Sequence, residues 1–250
     1  MVARRKFKEI PEEDIQELHD FLEQDNKQEV VTVSTISVNI KCKTENQKKL
    51  INSIKQKEIT ICSGLPGTGK TFLSCAQALK LIKGFAKYKR IVLIKSVTTL
   101  KNEEIGFLKG TLEEKMEPYI DSFMDNFRKL IGKSRTLKLR SLGIIEVLPI
   151  AFARGRSIDN SIIIIDEAQN ISLDNIRTLM TRIGDNSKMI ILGDVKQKDI
   201  RNKKDSSLEV VLDRFKDVNG FGCVELRDPK DVVRNPIIKT IEEVFENLED

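Results

Sequence analysis

Between residues 58 and 82 the chain passes from a β-branched apolar run, through a glycine-rich turn, into a run of helix formers. The lead-in is Glu58 to Ser63, with Ile59, Ile61 and Cys62. The turn is Gly64-Leu65-Pro66-Gly67-Thr68-Gly69-Lys70-Thr71, and the exit is Phe72 to Ile82, with Leu73, Ala76, Leu79 and Ile82 at helical spacing. A buried strand must deliver such a turn and a helix must leave it, which is the βα step of a parallel sheet covered by helices. Glycines let the backbone curl until successive N–H groups converge. The positive end of the following helix points to the same spot. G-x-x-x-x-G-K-[ST] is therefore a cradle for phosphate oxygens. Residues Gly64, Leu65, Pro66, Gly67, Thr68, Gly69, Lys70, Thr71 and Phe72 are expected to bind them, with Lys70 reaching β- and γ-phosphates and the Thr71 hydroxyl on Mg²⁺.

A second run, Ser161-Ile162-Ile163-Ile164-Ile165-Asp166-Glu167, reads as a strand buried on both faces and closed by two acids. Ligands of open α/β sheets bind at the carboxyl ends of strands. Asp166 is expected to hold Mg²⁺ there, and Glu167 to act as general base or to orient the attacking water. Lys70 and the two carboxylates are expected to converge from neighbouring strand ends. A third strand, Ser187 to Gly193, is followed by Asp194 and Gln197, whose side chain is expected to touch the γ-phosphate or the water.

The 250 residues carry 32% charged and 40% hydrophobic side chains, as in soluble globular proteins. The longest clean apolar run, Ile162 to Ile165, is far too short for a membrane span. The basic start, Met1 to Glu9, is followed by no apolar stretch, so it is not read as a secretory signal. Four cysteines without C-x-x-C spacing and a single histidine argue against a zinc site or a disulfide framework and suit a reducing cytoplasm. The cysteines are read as small core residues. The net charge of +5 permits an anionic partner without demanding one.

Residues 11–25 are expected to form an acidic helix, 29–42 one or two strands, and Asn46 to Ile54 a helix capped by Thr44. Arg90–Lys95, Ile144–Pro149 and Cys223–Leu226 read as further strands. Lys101–Leu142 reads as a helical insertion, and Leu173–Ile183 and Pro236–Leu248 as helices. The expected fold is α/β: a mostly parallel sheet sandwiched by helices. Residues 1–43 form an N-terminal extension and 44–250 a single nucleotide-binding domain.

With these residues in place, the chain resembles the PhoH-like family of P-loop ATPases. The resemblance rests on residues 63–71, on Ile105 to Tyr119, on Ala153-Arg154-Gly155-Arg156-Ser157, on Ile164 to Asn170, on Leu179 to Gly184, on Met189 to Ile200 and on Asp231-Val232-Val233-Arg234. It implies a RecA-like fold similar to the nucleotide-binding domain of superfamily 1 helicases, with ATP and Mg²⁺ as ligands. It further implies that Gln47, within Thr44-Glu45-Asn46-Gln47, reads adenine, and that RNA or single-stranded DNA is a partner. Phosphoryl transfer also benefits from an arginine on the γ-phosphate, and Arg182 and Arg234 are the two candidates. Fifty-seven residues follow Gly193, too few for a second nucleotide-type domain. Such a finger is then expected from this domain or from a neighbouring subunit, in a homo-oligomer for which a hexameric ring is one arrangement. The leading reading is ATP hydrolysis coupled to binding or remodelling of nucleic acid. The alternatives are an ATP-dependent switch with little turnover and a small-molecule kinase using the 101–142 insertion.

Overall fold

The computed structural model describes residues 33–95, 112–153, 155–197 and 207–234, together with 237, 240, 241 and 244. The chain divides into two units, Met1–Ile36 and Ser37–Asp250. In the first, the described residues form one 3₁₀ turn, Val33–Thr35, closed by Ile36 N donating to Val33 O (3.3 Å). The second unit holds the sheet and its helices.

Its elements run α1 (Glu45–Gln56), β1 (Ile59–Gly64), α2 (Lys70–Gly84), β2 (Arg90–Lys95), α3 (Leu112–Ile131), α4 (Lys133–Ser141), β3 (Ile145–Val147), α5 (Ile150–Ala153), β4 (Ser161–Asp166), α6 (Leu173–Met180), β5 (Lys188–Gly193), α7 (Ser207–Phe215) and β6 (Phe221–Leu226). The six strands form one sheet in the order β3-β2-β4-β5-β1-β6, and every pairing is parallel. The expected α/β fold, a parallel sheet sandwiched by helices, is the fold observed.

The isoleucine run explains the layering. Successive side chains of a strand point to opposite faces. Ile163 and Ile165 of β4 therefore join Ile59, Ile61, Val92, Ile94, Met189 and Ile191 on one face, packed under Ala153 of α5, Ile176 and Leu179 of α6, and Leu208, Val211 and Leu212 of α7. Ile162 and Ile164 serve the other face, where α1 packs on β1 and β6, and α2 on β2, β4 and β5. Because both faces are covered, the strands need apolar residues at every position rather than at alternate ones.

Several expectations change here. Val38 and Ile40 belong to no strand: residues 36–43 run without helix or strand. A β-branched run gains from its propensity only when it finds a pairing edge. The insertion splits at Gly132 (φ 84) into α3 and α4. The helices α5 and α7 were not anticipated. The helix expected at 11–25 and the start of the insertion, 101–111, lie outside the described residues. So does most of the C-terminal helix, although Ile237, Thr240, Ile241 and Val244 are helical.

Candidate functional site

The site sits at the carboxyl ends of β1, β4 and β5. The phosphate loop leaves β1 as expected, with Gly67 and Gly69 at φ 75° and 81°. That left-handed backbone is what glycine permits at little cost and other residues resist. Gly69 is the N-cap of α2, so the helix begins at Lys70 with its first N–H groups facing the loop. Lys70 Nζ donates to the carbonyls of Gly64 (2.5 Å) and Leu65 (3.0 Å), folding its charge into the loop. Thr68 Oγ1 donates to Leu65 O (2.8 Å), tightening the turn from inside.

Lys70, Thr71, Asp166 and Glu167 do come together, but not from neighbouring strands. Between β1 and β4 lies β5. That insertion brings Gly193, Asp194 and Gln197 to the floor between the loop and the carboxylates, and all three line the same cavity of about 560 Å³. Pockets for small ligands span roughly 300–1,000 Å³. Thr71 Oγ1 donates to Asp166 Oδ2 (3.1 Å), so hydroxyl and carboxylate are already paired. Burial pushes the Asp166 carboxyl up to about 6, and the negative charge of Glu167 adds to this; the Thr71 hydrogen bond and Lys95 work against it. A hydroxyl beside a desolvated carboxylate is a donor set that fits Mg²⁺.

Glu167 adopts φ 55°, ψ 40°, left-handed for a residue with a side chain. Strain of this kind costs about 1–3 kcal/mol and persists only where neighbours hold it. Here Gln169 holds it. Its Nε2 donates to Glu167 Oε2 (2.7 Å) while its Oε1 accepts from Asp194 N (3.0 Å). This buried amide ties the tip of β4 to the tip of β5, and sequence reading gave it no role. Asp194 is buried too: Oδ1 accepts from Lys196 N (3.0 Å), and Oδ2 meets no donor among the described residues.

One wall comes from α3. Phe123, Met124, Phe127 and Ile131 are buried on one side of this helix, and Ser122, Asp125, Asn126 and Lys129 face the cavity. Lys95 Nζ donates to Ser122 Oγ (2.8 Å), fastening this wall to the end of β2. The i, i+3, i+4, i+7 polar stripe was present in the sequence, but such stripes ordinarily face solvent.

The remaining candidates divide. Arg234 and Gln197 line the cavity. Arg182 does not. It stands where Ile158 N takes a bond to Arg182 O (2.9 Å) and Ile158 pairs with Ile183, ahead of β4 and β5, at the amino ends of the strands. A helix followed by a strand runs back across the sheet, so the residue between them lies at the end opposite the loop. Gln47 is buried behind the loop, outside the cavity lining. Its Nε2 donates to Thr68 O (2.9 Å), and its Oε1 accepts from Lys43 N (2.7 Å). Leu65 and Thr68 are also buried and serve the loop from within, while Pro66 and Phe72 line the cavity.

Burial pushes the Cys62 thiol up to about 12 and, with the charge of Asp166, raises Cys75 well above its ordinary range. Cys42 and Cys223 are half-buried, and Cys223 packs against the core face that holds Ile163 and Ile165.

The chain is similar to proteins of one family. A family described as PhoH-like protein matches residues 39–246. A PhoH-like protein of Bacillus subtilis is 35% identical over 88% of this chain and 68% of its own length. The Protein PhoH of Escherichia coli is 32% identical over 79% of this chain and 56% of its own. The chain thus spans only part of the length of these curated relatives. Among solved structures, the large terminase of a thermophilic bacteriophage is similar at 10% identity and a TM-score of 0.48, over 80% of this chain and 49% of that one. The Pif1 helicase of Candida albicans is similar at 14% and 0.42, over 84% and 44%. By the extent of the family match and the identity to its curated members, the chain belongs to the PhoH-like protein family.

Proposed function

We propose that this chain binds ATP with Mg²⁺ and hydrolyses it, and that turnover is coupled to binding or remodelling of RNA or single-stranded DNA. The observation that carries the hydrolytic reading is the convergence of Lys70, Thr71, Asp166, Glu167 and Gln197 on one cavity. Thr71 and Asp166 would hold Mg²⁺, which would neutralise charge on the phosphate oxygens. Lys70 exchanges its two loop carbonyls for phosphate oxygens, a swap that keeps its ammonium bonded throughout. Backbone N–H groups of residues 67–71 supply the other donors. Glu167 takes the proton of the attacking water, and Gln169 fixes the direction of its carboxylate. Gln197 contacts the γ-phosphate or that water.

Arg234 reaches its own chain's cavity, so it is the arginine suited to act in cis. Arg182 serves a nucleotide only on a neighbouring copy, with its end of one sheet against the cavity of the next. This is the geometry that a homo-oligomeric ring supplies. A reducing, cytoplasmic setting suits four free cysteines.

The test is phosphate release from ATP, with and without single-stranded RNA and DNA, together with sedimentation. The expected results are turnover that depends on Mg²⁺, stimulation by one of the polymers, and an assembly larger than one chain. Turnover absent under all conditions, with ATP bound, would leave the ATP-dependent switch in its place. The polar wall of α3 gives a kinase reading a concrete acceptor surface, so a panel of phosphate acceptors belongs in the same assay.

A further inference from the structure

Segments from the two ends of the domain are bonded to each other and to the phosphate loop. In the first turn of α1, Gln47 pins Thr68 O, and its neighbour Asn46 donates from Nδ2 to Asp231 Oδ2 (2.8 Å). Asp231 is 1% exposed and ends the short 3₁₀ helix Pro229–Asp231. Two residues later Val233 N donates to Gly67 O (3.1 Å), and Val233 O accepts from Lys43 Nζ (3.3 Å). The triangle is closed: α1 grips the loop, α1 grips residue 231, and residue 233 grips the loop. Arg234 is the next residue, and its side chain is exposed on the cavity.

We infer that Asn46 and Asp231 are positioning residues: their hydrogen bond holds Arg234 over the phosphate loop, at the place of the terminal phosphate of a bound nucleoside triphosphate. The inference rests on the ATP-binding reading above and names what orients its arginine. An arginine on a free chain segment would lose most of its advantage to the entropy of ordering it. Tying Val233 at both its N–H and its carbonyl leaves only the Arg234 side chain to settle. The carboxylate of Asp231 is too buried to bind nucleotide itself, and Asn46 does not line the cavity. Both therefore act through what they hold.

The test uses the full chain and two readouts, one of them independent of turnover. Affinities for ADP and for a non-hydrolysable ATP analogue give a preference for the triphosphate, and phosphate release gives kcat and KM. Arg234→Ala should lower that preference about tenfold, the worth of one charge-assisted hydrogen bond. Asn46→Ala should lower it similarly, with ADP affinity within about twofold of the original and kcat reduced more than KM is raised. The double variant should be no worse than Arg234→Ala alone. Exchanging the pair, Asn46→Asp with Asp231→Asn, re-forms the bond with donor and acceptor reversed and should restore the preference. Additive losses in the double variant, or a fall in ADP affinity matching that for the analogue, would overturn the inference. So would an exchanged pair that folds but is not restored. A protein that never hydrolyses ATP would sink the hydrolytic reading, yet the two affinities would still decide this one.

Discussion

The phosphate loop and the tip of β4 both end buried parallel strands at the same edge of the sheet, yet they are held in opposite ways. The loop offers backbone groups, and its carbonyls are pinned by residues distant in sequence, Gln47 on Thr68 and Val233 on Gly67. The tip offers side chains and is held by close neighbours: Gln169 two residues on, and the adjoining strand through Asp194. A backbone cradle needs its shape guarded from outside as well as by Thr68 and Lys70 within, since its three glycines have no side chains to do so. A strained carboxylate needs its direction guarded at short range, because an error of an ångström matters to the chemistry.

Four substitutions would break or sharpen that contrast. The largest effect belongs to the tip. Glu167→Gln should leave ATP affinity near its original value and slow phosphate release about 10²- to 10⁴-fold in single-turnover assays; unchanged turnover would remove Glu167 from its role. Next, Gln169→Ala frees the Glu167 carboxylate and should lower kcat about 10- to 100-fold with little change in ATP affinity. If both quantities fall together, the amide supports the fold rather than the direction of the carboxylate.

The loop should respond through stability. Gln47→Ala strands the Thr68 carbonyl and the Lys43 N–H. It should cost about 1–3 kcal/mol, read as a lower urea midpoint at unchanged m. Its discrimination between ATP and GTP should not move; a loss of that discrimination would return Gln47 to reading adenine. The smallest effect is the gain from Asp166→Asn without nucleotide or Mg²⁺. The Asp166 pKa is raised in the folded state, from 3.8 to about 6, so its carboxyl favours folding below pH 4 and that advantage is lost as pH rises towards 6. At pH 7.5 the amide should therefore raise Tm by about 2–6 °C, and the difference should close on lowering the pH from 6 to 4. A lower Tm for the variant at pH 7.5 would mean that Asp166 is stabilised as an anion.

Much of this was legible in the sequence wherever the signal is local. The strands β2, β4 and β5 each carry a continuous apolar run, and β1 one broken only by the buried Thr60, as parallel burial demands. Thr44 and Ser172 accept from the N–H groups of Gln47 and Asn175 as caps should. Signals that depend on a distant partner were read less well. Val38 and Ile40 have strand composition but pair with no strand among the described residues. The polar stripe of α3 differs from a solvated face only in what stands opposite. Gln47 carries the right chemistry for a base, and only folding shows that one of its N–H groups goes to Thr68 O and that its oxygen accepts from Lys43 N.

Local chemistry was thus enough to determine a phosphate cradle at the end of a buried strand, and acids at the end of another. Both follow from residue type and spacing within a few bonds of chain. Only the tertiary structure decided that β5 separates those strands and contributes Asp194 and Gln197. It alone put Arg234 at the cavity and Arg182 at the far end of the sheet, and closed residues 43–47 and 231–234 around the loop. Strand order and the meeting of segments some 185 residues apart depend on which apolar faces cover one another, and that is a property of the whole packed chain.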